Sequence, residues 1–431
     1  TPDSLVQCLL DTALDPVVEH AIKGKQGEIA ESAILNLKVC DPAVGSGHFL
    51  VGAAHRLARH LARVRAISEE ESEPSPTLYQ TALRDVIGHC LYGVDINPMS
   101  AELCKVSLWL EALDPGKPLS FLDHHIQVGN SLIGATPDLL KSGIPDSAFS
   151  RIEGDDKRLS TLYKKRNREE RKHKGKQEAI LFSSEPNPNM KFNSILKNVK
   201  VIENIPDDSI ESVKEKSKQL NALKVADNYQ KATFSADVWC ASFVLEKSNK
   251  VPDAITESIY RKVDHDSLQG LEWLKKEVNN LAKEYKFFHW HLRFPEVHEQ
   301  GGFDLILGNP PWEKVELLQR EWFSARSPKW MATSAGENKR DFLKKLQNED
   351  FSLYSEFIRA VRRVDGERSF IKNSGLYKLC GKGRINQYSA FAELNQNILN
   401  SQGLIGCILP PGIATDDSTK EFIQSIIKRD M

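Results

Sequence analysis

A short apolar run, Leu37-Lys38-Val39-Cys40, stops at an aspartate and a glycine turn, Asp41-Pro42-Ala43-Val44-Gly45-Ser46-Gly47. Apolar residues then return at helical spacing as Phe49, Leu50, Ala53, Leu57, Leu61 and Val64. Strand, tight turn and amphipathic helix in direct succession leave a chain few architectures, foremost the parallel βαβ fold. The unit recurs. Cys90-Leu91-Tyr92-Gly93-Val94 predicts a second strand ending at Asp95, and Pro98 opens a helix whose apolar face is predicted to be Met99, Leu103, Val106, Leu110 and Leu113. Ile126-Gln127-Val128 predicts a third strand, Phe303 to Leu307 a fourth, and Leu404 to Leu409 a fifth after a helix near Tyr388 to Asn400. From about Ala135 to Tyr285 the pattern is helical and charged, without strand repeats, and reads as an insertion between strands of one sheet.

Composition sets limits on function. Lys+Arg 58 against Asp+Glu 59 gives a formal charge of -1, so only local clustering can speak for a polyanionic partner. The run Lys157 to Lys176 is such a cluster: Glu169 and Glu170 are its only acids, and it suits a solvated helix or loop as well as a contact to DNA phosphates. No apolar stretch approaches the roughly 20 residues of a membrane helix. The 7 cysteines form no CxxC pair and no secretory leader precedes them, which predicts reduced cytoplasmic thiols rather than a disulfide framework or zinc ribbon. The abrupt start at Thr1-Pro2 and the stop at Asp430-Met431 predict a piece of a longer protein.

Two glycines in the first turn let a ligand approach the backbone, and the helix behind them presents unpaired N–H groups. A dinucleotide fingerprint would need glycine where Leu50 stands, and no Gly-Lys-Ser/Thr makes a phosphate loop. Asp41 suits an ammonium group instead, although the segment also suits a plain βα turn. Asp95, at the carboxyl edge of the sheet, can accept both hydroxyls of a ribose or cap the helix at Asn97-Pro98. Gly129-Asn130-Ser131 ends the third strand at the same edge, where Asn130 can bond an adenine amine or serve a simple turn.

Gly308-Asn309-Pro310-Pro311-Trp312 follows the fourth strand directly. Two prolines fix the backbone, holding the Asn309 side chain and the Pro310 carbonyl in place. An aromatic amine is a poor nucleophile because its lone pair is delocalised into the ring. Two acceptors drawing on its N–H groups free that pair, and Trp312 offers a flat surface for a base turned out of its stack. A proline-stiffened turn with a buried Trp is the plainer reading. His289, His291 and His298 sit in an apolar setting that suits core and connector roles better than metal binding, and Asp146 with Asp155-Asp156-Lys157 imitates a nuclease pattern only loosely.

Asp41-Pro-Ala-Val-Gly-Ser-Gly-His-Phe49, Gly93-Val-Asp-Ile-Asn-Pro98, Gly129-Asn-Ser-Leu132, Phe288-His-Trp-His-Leu-Arg-Phe-Pro-Glu-Val297 and Gly308 to Trp312 resemble, in order, motifs of adenine-N6 DNA methyltransferases, in particular the large bacterial restriction-modification and phage-defence methylases. The resemblance covers most of residues 1–135 and 285–425. It implies an α/β Rossmann-like methyltransferase sheet interrupted by a long, mainly helical insertion: a cofactor-binding half at 1–135, the insertion at 136–285 and a catalytic half at 286–431. It further implies methyl transfer from S-adenosyl-L-methionine to adenine N6, without a metal. Thr1, Pro2, Asp41, Ala43, Gly45, Ser46, Gly47, Phe49, Asp95, Ile96, Asn130 and Ser131 would hold the cofactor, and Asn309, Pro310, Pro311 and Trp312 would act on a flipped adenine of double-stranded DNA.

Asn130 stands where the family commonly has aspartate, and the family's sheet has seven strands against five here. The last strands, a target-recognition domain or subunit, and nuclease or other defence-system subunits are therefore expected outside this chain. The chain alone is expected to be poorly soluble or loosely folded, and inactive on DNA. Two alternatives are a DNA- and cofactor-binding sensor with little methylation, and a methyltransferase acting on RNA or protein.

Overall fold

The structure, a computed structural model, describes residues 1–68, 73–172, 188–334 and 339–429. Parts of the charged stretch from Glu69 to Pro76 and of the basic run, 69–72 and 173–176, lie outside the described residues, as do 430–431. Five parallel strands, β1 (Val39–Asp41), β2 (Leu91–Asp95), β3 (Ile126–Val128), β4 (Phe303–Gly308) and β5 (Leu399–Cys407), form one sheet in the order β3-β2-β1-β4-β5. The chain steps outward from β1 to β3 and then returns to lay β4 on the other side of β1. That reversal is a topological switch point, where open α/β sheets bind ligands at the carboxyl ends of their strands. Val39 lies opposite Leu305 and Cys40 opposite Ile306, so Asp41 and Gly308 emerge side by side.

The first strand starts two residues after the expected Leu37, and β5 begins at Leu399 instead of Leu404. Polar Asn400, Ser401 and Gln402 hide the start of β5 from an apolar pattern. They fit because the pairing shifts between Phe303 and Leu305, while Asn400 Nδ2 donates to Asp304 Oδ1 at 2.7 Å.

The helices that frame the cofactor half include α1 (Asp3–Leu9), α2 (His48–Ser68), α3 (Pro76–His89) and α4 (Pro98–Glu111). Phe49, Leu50, Ala53, Leu57 and Leu61 of α2 are buried against the sheet, as their spacing requires. Ser75 and Asn97 cap α3 and α4 by accepting from the N–H groups of Leu78 and Met99.

The expected face of α4 is wrong. Met99 is 65% exposed and Leu110 63%, with Leu103, Val106 and Leu113 also exposed, while Ala101, Cys104 and Leu108 are buried. Small residues are required there because a Cβ on Gly47 would come within 2.8 Å of Cys104 Sγ. Close approach of α4 to the glycine turn outweighs burial of the larger side chains.

Between β3 and β4 run helices that include α5 (Lys157–Lys172) and α6 (Asp227–Val244); α7 (Phe351–Asn373), α8 (Gln387–Ile398) and α9 (Lys420–Arg429) follow β4. Trp239 and Phe243 of α6 meet the ring of Phe370 in α7 edge-on, at 6.1 and 5.2 Å between centroids. The helices between β3 and β4 thus share one core with the helices after β4. Beside this core the fully buried Asp155 carboxylate binds Arg362 at 2.9 Å and Lys247 at 3.5 Å, and burial lowers the Lys247 ammonium to about 8. Asp146 binds Arg168 and Asn167, and Asp156 Oδ1 accepts the N–H groups of Arg158 and Leu159, so all three acids of the nuclease-like pattern are engaged in structural contacts.

Phe422 of α9 packs on Cys380 and Ala392. The edge strand β5 leaves Leu404 and Ile405 exposed. Among the described residues no helix is long and apolar enough to cross a membrane, and the cysteines are free thiols.

Candidate functional site

Asp41 ends β1 with 1% of its surface exposed, and its Oδ1 accepts the Ala43 N–H at 3.0 Å. Burial pushes its carboxyl up to about 7; the Ala43 N–H opposes this, and the nearby Asp95 carboxylate adds to it. A buried carboxylate with no cation beside it among the described residues can receive one. The turn that follows depends on Gly45 and Gly47, which hold φ of +56° and +88°. Their N–H groups are spent internally: Gly45 donates to Asp95 Oδ2 and Gly47 to the Val44 carbonyl, each at 2.9 Å. The N–H groups of Ser46, His48 and Phe49 have no partner among the described residues. These groups, rather than those of the glycines, can receive an anion at the start of α2.

Asp95 Oδ1 also accepts the Asn97 N–H at 2.7 Å, so one carboxylate fixes both the glycine turn and the entry to α4. Each oxygen keeps a lone pair for hydroxyl donors. Beyond it, the Ile96 side chain points toward solvent and its carbonyl accepts from Lys286 Nζ at 2.8 Å. The Lys286 backbone is left-handed, with φ 54°, and its carbonyl accepts the Asn130 N–H at 2.7 Å. Asn130 is buried; its Oδ1 accepts from Leu132 N–H at 3.1 Å and retains a second lone pair. Ser131 Oγ donates to the Pro42 carbonyl at 2.6 Å, joining the turns after β3 and β1. Phe288 is clasped between Gly129 and Gly134, where added Cβ atoms would lie 2.3 Å from its ring and 1.9 Å from its carbonyl oxygen.

Gly308 closes β4 against the first turn, for a Cβ there would lie 2.8 Å from Asp41 Oδ1. Asn309 follows at once. Its Nδ2 donates to Thr1 Oγ1 at 3.3 Å, and its Oδ1 is buried without any donor. Thr1 and Pro2 reach this place because the helical segment behind them lays Leu9 and Ala13 on Gly406 of β5. Pro310 is buried, Pro311 exposed, and Trp312 is 50% exposed, a ring standing free beside the loop rather than in a core. Past Trp312 the chain pairs with the start of α8: Val315 N–H donates to the Ile385 carbonyl at 3.1 Å and Gln387 N–H to the Glu313 carbonyl at 2.8 Å.

The structure thus gathers Thr1, Asp41, Gly45, Gly47, Asp95, Asn130, Ser131 and Asn309 around neighbouring strand ends. Phe49 is instead part of the core beneath the turn. Lys286 escaped the sequence reading, as did a chain from Asn386 Nδ2 to Tyr388 Oη at 3.2 Å and on to Asp416 Oδ2 at 3.3 Å, next to the Asn309 loop. Lys286 lies just ahead of the Phe288 segment, and Tyr388 is marked in the sequence only as the start of a helix. His289 is a connector: its Nδ1 accepts from Ala135 N–H at 3.1 Å and its Nε2 meets Asp237 at 2.9 Å. No cluster fit for a metal occurs among the described residues.

Residues 89–374, about two thirds of the chain, match the profile of the Eco57I restriction-modification methylase family. The chain is 25% identical over 369 residues to a putative type II restriction enzyme and methyltransferase of Methanocaldococcus jannaschii, covering 72% of this chain and 27% of that protein. It is 28% identical over 141 residues to the adenine-specific methyltransferase PglX of Streptomyces coelicolor, covering 31% of this chain and 10% of that protein. The chain therefore spans about a quarter of the first relative's length and about a tenth of the second's. No solved structure matches it.

Proposed function

Because the chain belongs to the Eco57I restriction-modification methylase family, we propose that it methylates N6 of adenine in duplex DNA, using S-adenosylmethionine, within a restriction-modification or phage-defence system. The observation that carries this reading is the buried Asn309 Oδ1, an acceptor left without a donor at the end of β4 beside Asp41. An exocyclic amine supplies the missing N–H. The Pro310 carbonyl, held by the adjacent prolines, takes the second, and the amine lone pair is released from the ring for attack. The half-exposed Trp312 gives the turned-out base a stacking surface worth roughly 1–3 kcal/mol.

The residues present fit the cofactor. Asp41 would hold its ammonium group, the free N–H groups of Ser46, His48 and Phe49 its carboxylate, Asp95 its ribose hydroxyls, and the spare lone pair of Asn130 its adenine amine. When bound, the cofactor supplies a methyl carbon on a sulfonium, activated for in-line displacement. Asp41 and Gly308 being in contact sets the cofactor's charged end next to the amine-holding loop. A target-recognition domain or subunit would read most of the DNA sequence, which agrees with the formal charge of -1. Free thiols throughout suit a cytoplasmic setting.

The test is transfer of a labelled methyl group from S-adenosylmethionine to plasmid DNA by the chain together with the target-recognition domain or subunit expected outside it. Incorporation into DNA supports the proposal; incorporation only into RNA or protein, or none, contradicts it.

A second outcome follows from Asp41. Its folded carboxyl titrates near 7 against 3.8 for the ordinary group, so this residue costs stability as pH rises from 3.8 to about 7. A cationic ligand needs the ionised form. Cofactor affinity should therefore climb as pH rises toward about 7, level off above it, and be accompanied by proton release. Calorimetry in buffers of different ionisation heat measures this, and Asp41→Asn should weaken binding and flatten the pH profile. A profile in Asp41→Asn as steep as in the native chain would assign the titration elsewhere.

A further inference from the structure

We propose that the outward face of α5 is a second DNA contact, gripping the phosphate backbone of the duplex whose adenine enters the Asn309 loop. This rests on the DNA reading above. At 100° per residue, Lys157, Lys164, Lys165, Arg168 and Lys172 fall on one side of the helix, with Arg158 and Arg171 at its borders. All are exposed. Lys157, Lys164, Lys165 and Lys172 form no ion pair among the described residues. Asp146 pairs with Arg168 on this face, Asp253 and Glu170 hold Arg166 on the inner side, and the exposed Glu169 forms no ion pair among the described residues, which leaves the four lysines unpaired.

Arg166 therefore departs from the reading of the run as a solvated helix or a contact to DNA. It is a staple on the inner side, together with Asn167, whose fully buried amide donates to the Ile144 carbonyl at 3.0 Å and to Asp146 Oδ1 at 2.9 Å, and accepts the Glu257 N–H at 2.8 Å. The helix is pinned from within and cannot turn its cations away from one another. Like charges at i,i+4, as in Lys164 with Arg168 and Arg168 with Lys172, repel. A fixed row of cations, of which Arg168 alone has an ion pair among the described residues, is a cost to the folded chain and an asset only against a polyanion. Sixteen residues extend about 24 Å, enough to face several phosphates of a duplex carrying one charge per about 1.7 Å. A cleft of about 320 Å³ lined by Ser142, Asp146, Arg168, Arg171 and Lys172 opens at the far end of the row.

The face also has a route to the catalytic loop. Ser147, beside Asp146, donates to the Asn373 carbonyl at 2.7 Å, and the segment leaving Asn373 arrives at Asn386, which bridges to Lys314 two residues beyond Trp312. DNA held on α5 would thus be linked to the loop through the 374–386 segment.

The test is binding of duplex DNA by the whole chain over a salt series, read by fluorescence anisotropy, for the native protein and for Lys157→Ala/Lys164→Ala/Lys165→Ala/Lys172→Ala. The slope of log affinity against log salt should shrink by about 0.9 for each lysine that touched a phosphate, with at least about a tenfold loss of affinity on every sequence. Lys275→Ala/Lys276→Ala, an exposed pair on another helix, should leave the slope unchanged. An unchanged slope in the quadruple variant, an equal per-lysine effect in the control, or no DNA binding by the native chain overturns the proposal. Because binding is read without methylation, a chain that methylates DNA but keeps its slope sinks only this surface. A chain that loses its slope yet transfers no methyl group sinks only the catalytic reading.

Discussion

Asn309→Ala is expected to lower methyl transfer by about 10²–10³-fold, the range seen when one preorganised hydrogen-bonding group is removed from a developing transition state, while cofactor affinity stays within a few-fold of native. The split follows from geometry. Asn309 meets the proposed cofactor residues only through Thr1, at 3.3 Å; it presents a buried, unpartnered oxygen and shares no hydrogen bond with Asp41, Asp95 or Asn130, the groups proposed to hold the cofactor's charged and polar parts. Its acceptor matters chiefly when the amine lone pair is being released, so its loss appears in kcat rather than in ground-state binding. Asn309→Asp keeps an acceptor at the same position and should retain more activity than alanine. Single-turnover rates with calorimetric affinities measure both quantities; a parallel fall in affinity would return Asn309 to a structural role.

Asp95→Ala is expected to weaken S-adenosylmethionine binding by about tenfold to a hundredfold and to destabilise the fold by roughly 1–3 kcal/mol, the cost of leaving polar groups unsatisfied. The sequence alone suggests a cofactor effect without a fold effect. The structure adds the second, because both carboxylate oxygens accept backbone N–H groups, from Gly45 at 2.9 Å and from Asn97 at 2.7 Å. Removing the side chain frees the glycine turn and uncaps the approach to α4 together. Asp95→Asn, with one acceptor oxygen and one donor nitrogen, can satisfy only one of the two and should fall between. Urea unfolding alongside calorimetry separates the effects; native stability in Asp95→Ala would mean that the two bonds are replaced by water at no cost.

What could be read in advance was whatever the chain writes locally. A βα turn must end in residues that tolerate close backbone approach and polar ligands, so Asp41 to Gly47, Asp95 and Asn130 announced themselves within a few residues each. The Asn309 loop was legible for the same reason. The face of α4 was misread because Met99, Leu103, Val106, Leu110 and Leu113 have the spacing of a buried stripe, whereas Ala101 and Cys104, which actually pack, are too small to register as one. Contacts across long separations left no local trace: Lys286 reaches Ile96, Asn386 meets Lys314, and Asp155 waits for Lys247 and Arg362. The basic run likewise placed Arg166 among solvated or DNA-facing cations, although tertiary partners had claimed it. Sequence patterns report what a segment prefers; which of two compatible faces turns inward is decided by the neighbour it meets.

The most direct measurement is the identity of the methylated nucleoside. Duplex DNA is incubated with S-adenosylmethionine and the chain joined to the target-recognition domain or subunit expected outside it, digested to nucleosides and resolved by mass spectrometry, with Asn309→Ala in parallel. The account predicts N6-methyladenine from the native chain and at least about a hundredfold less from the variant. Methyl groups on cytosine alone, none in DNA, or native levels of N6-methyladenine from Asn309→Ala would contradict it.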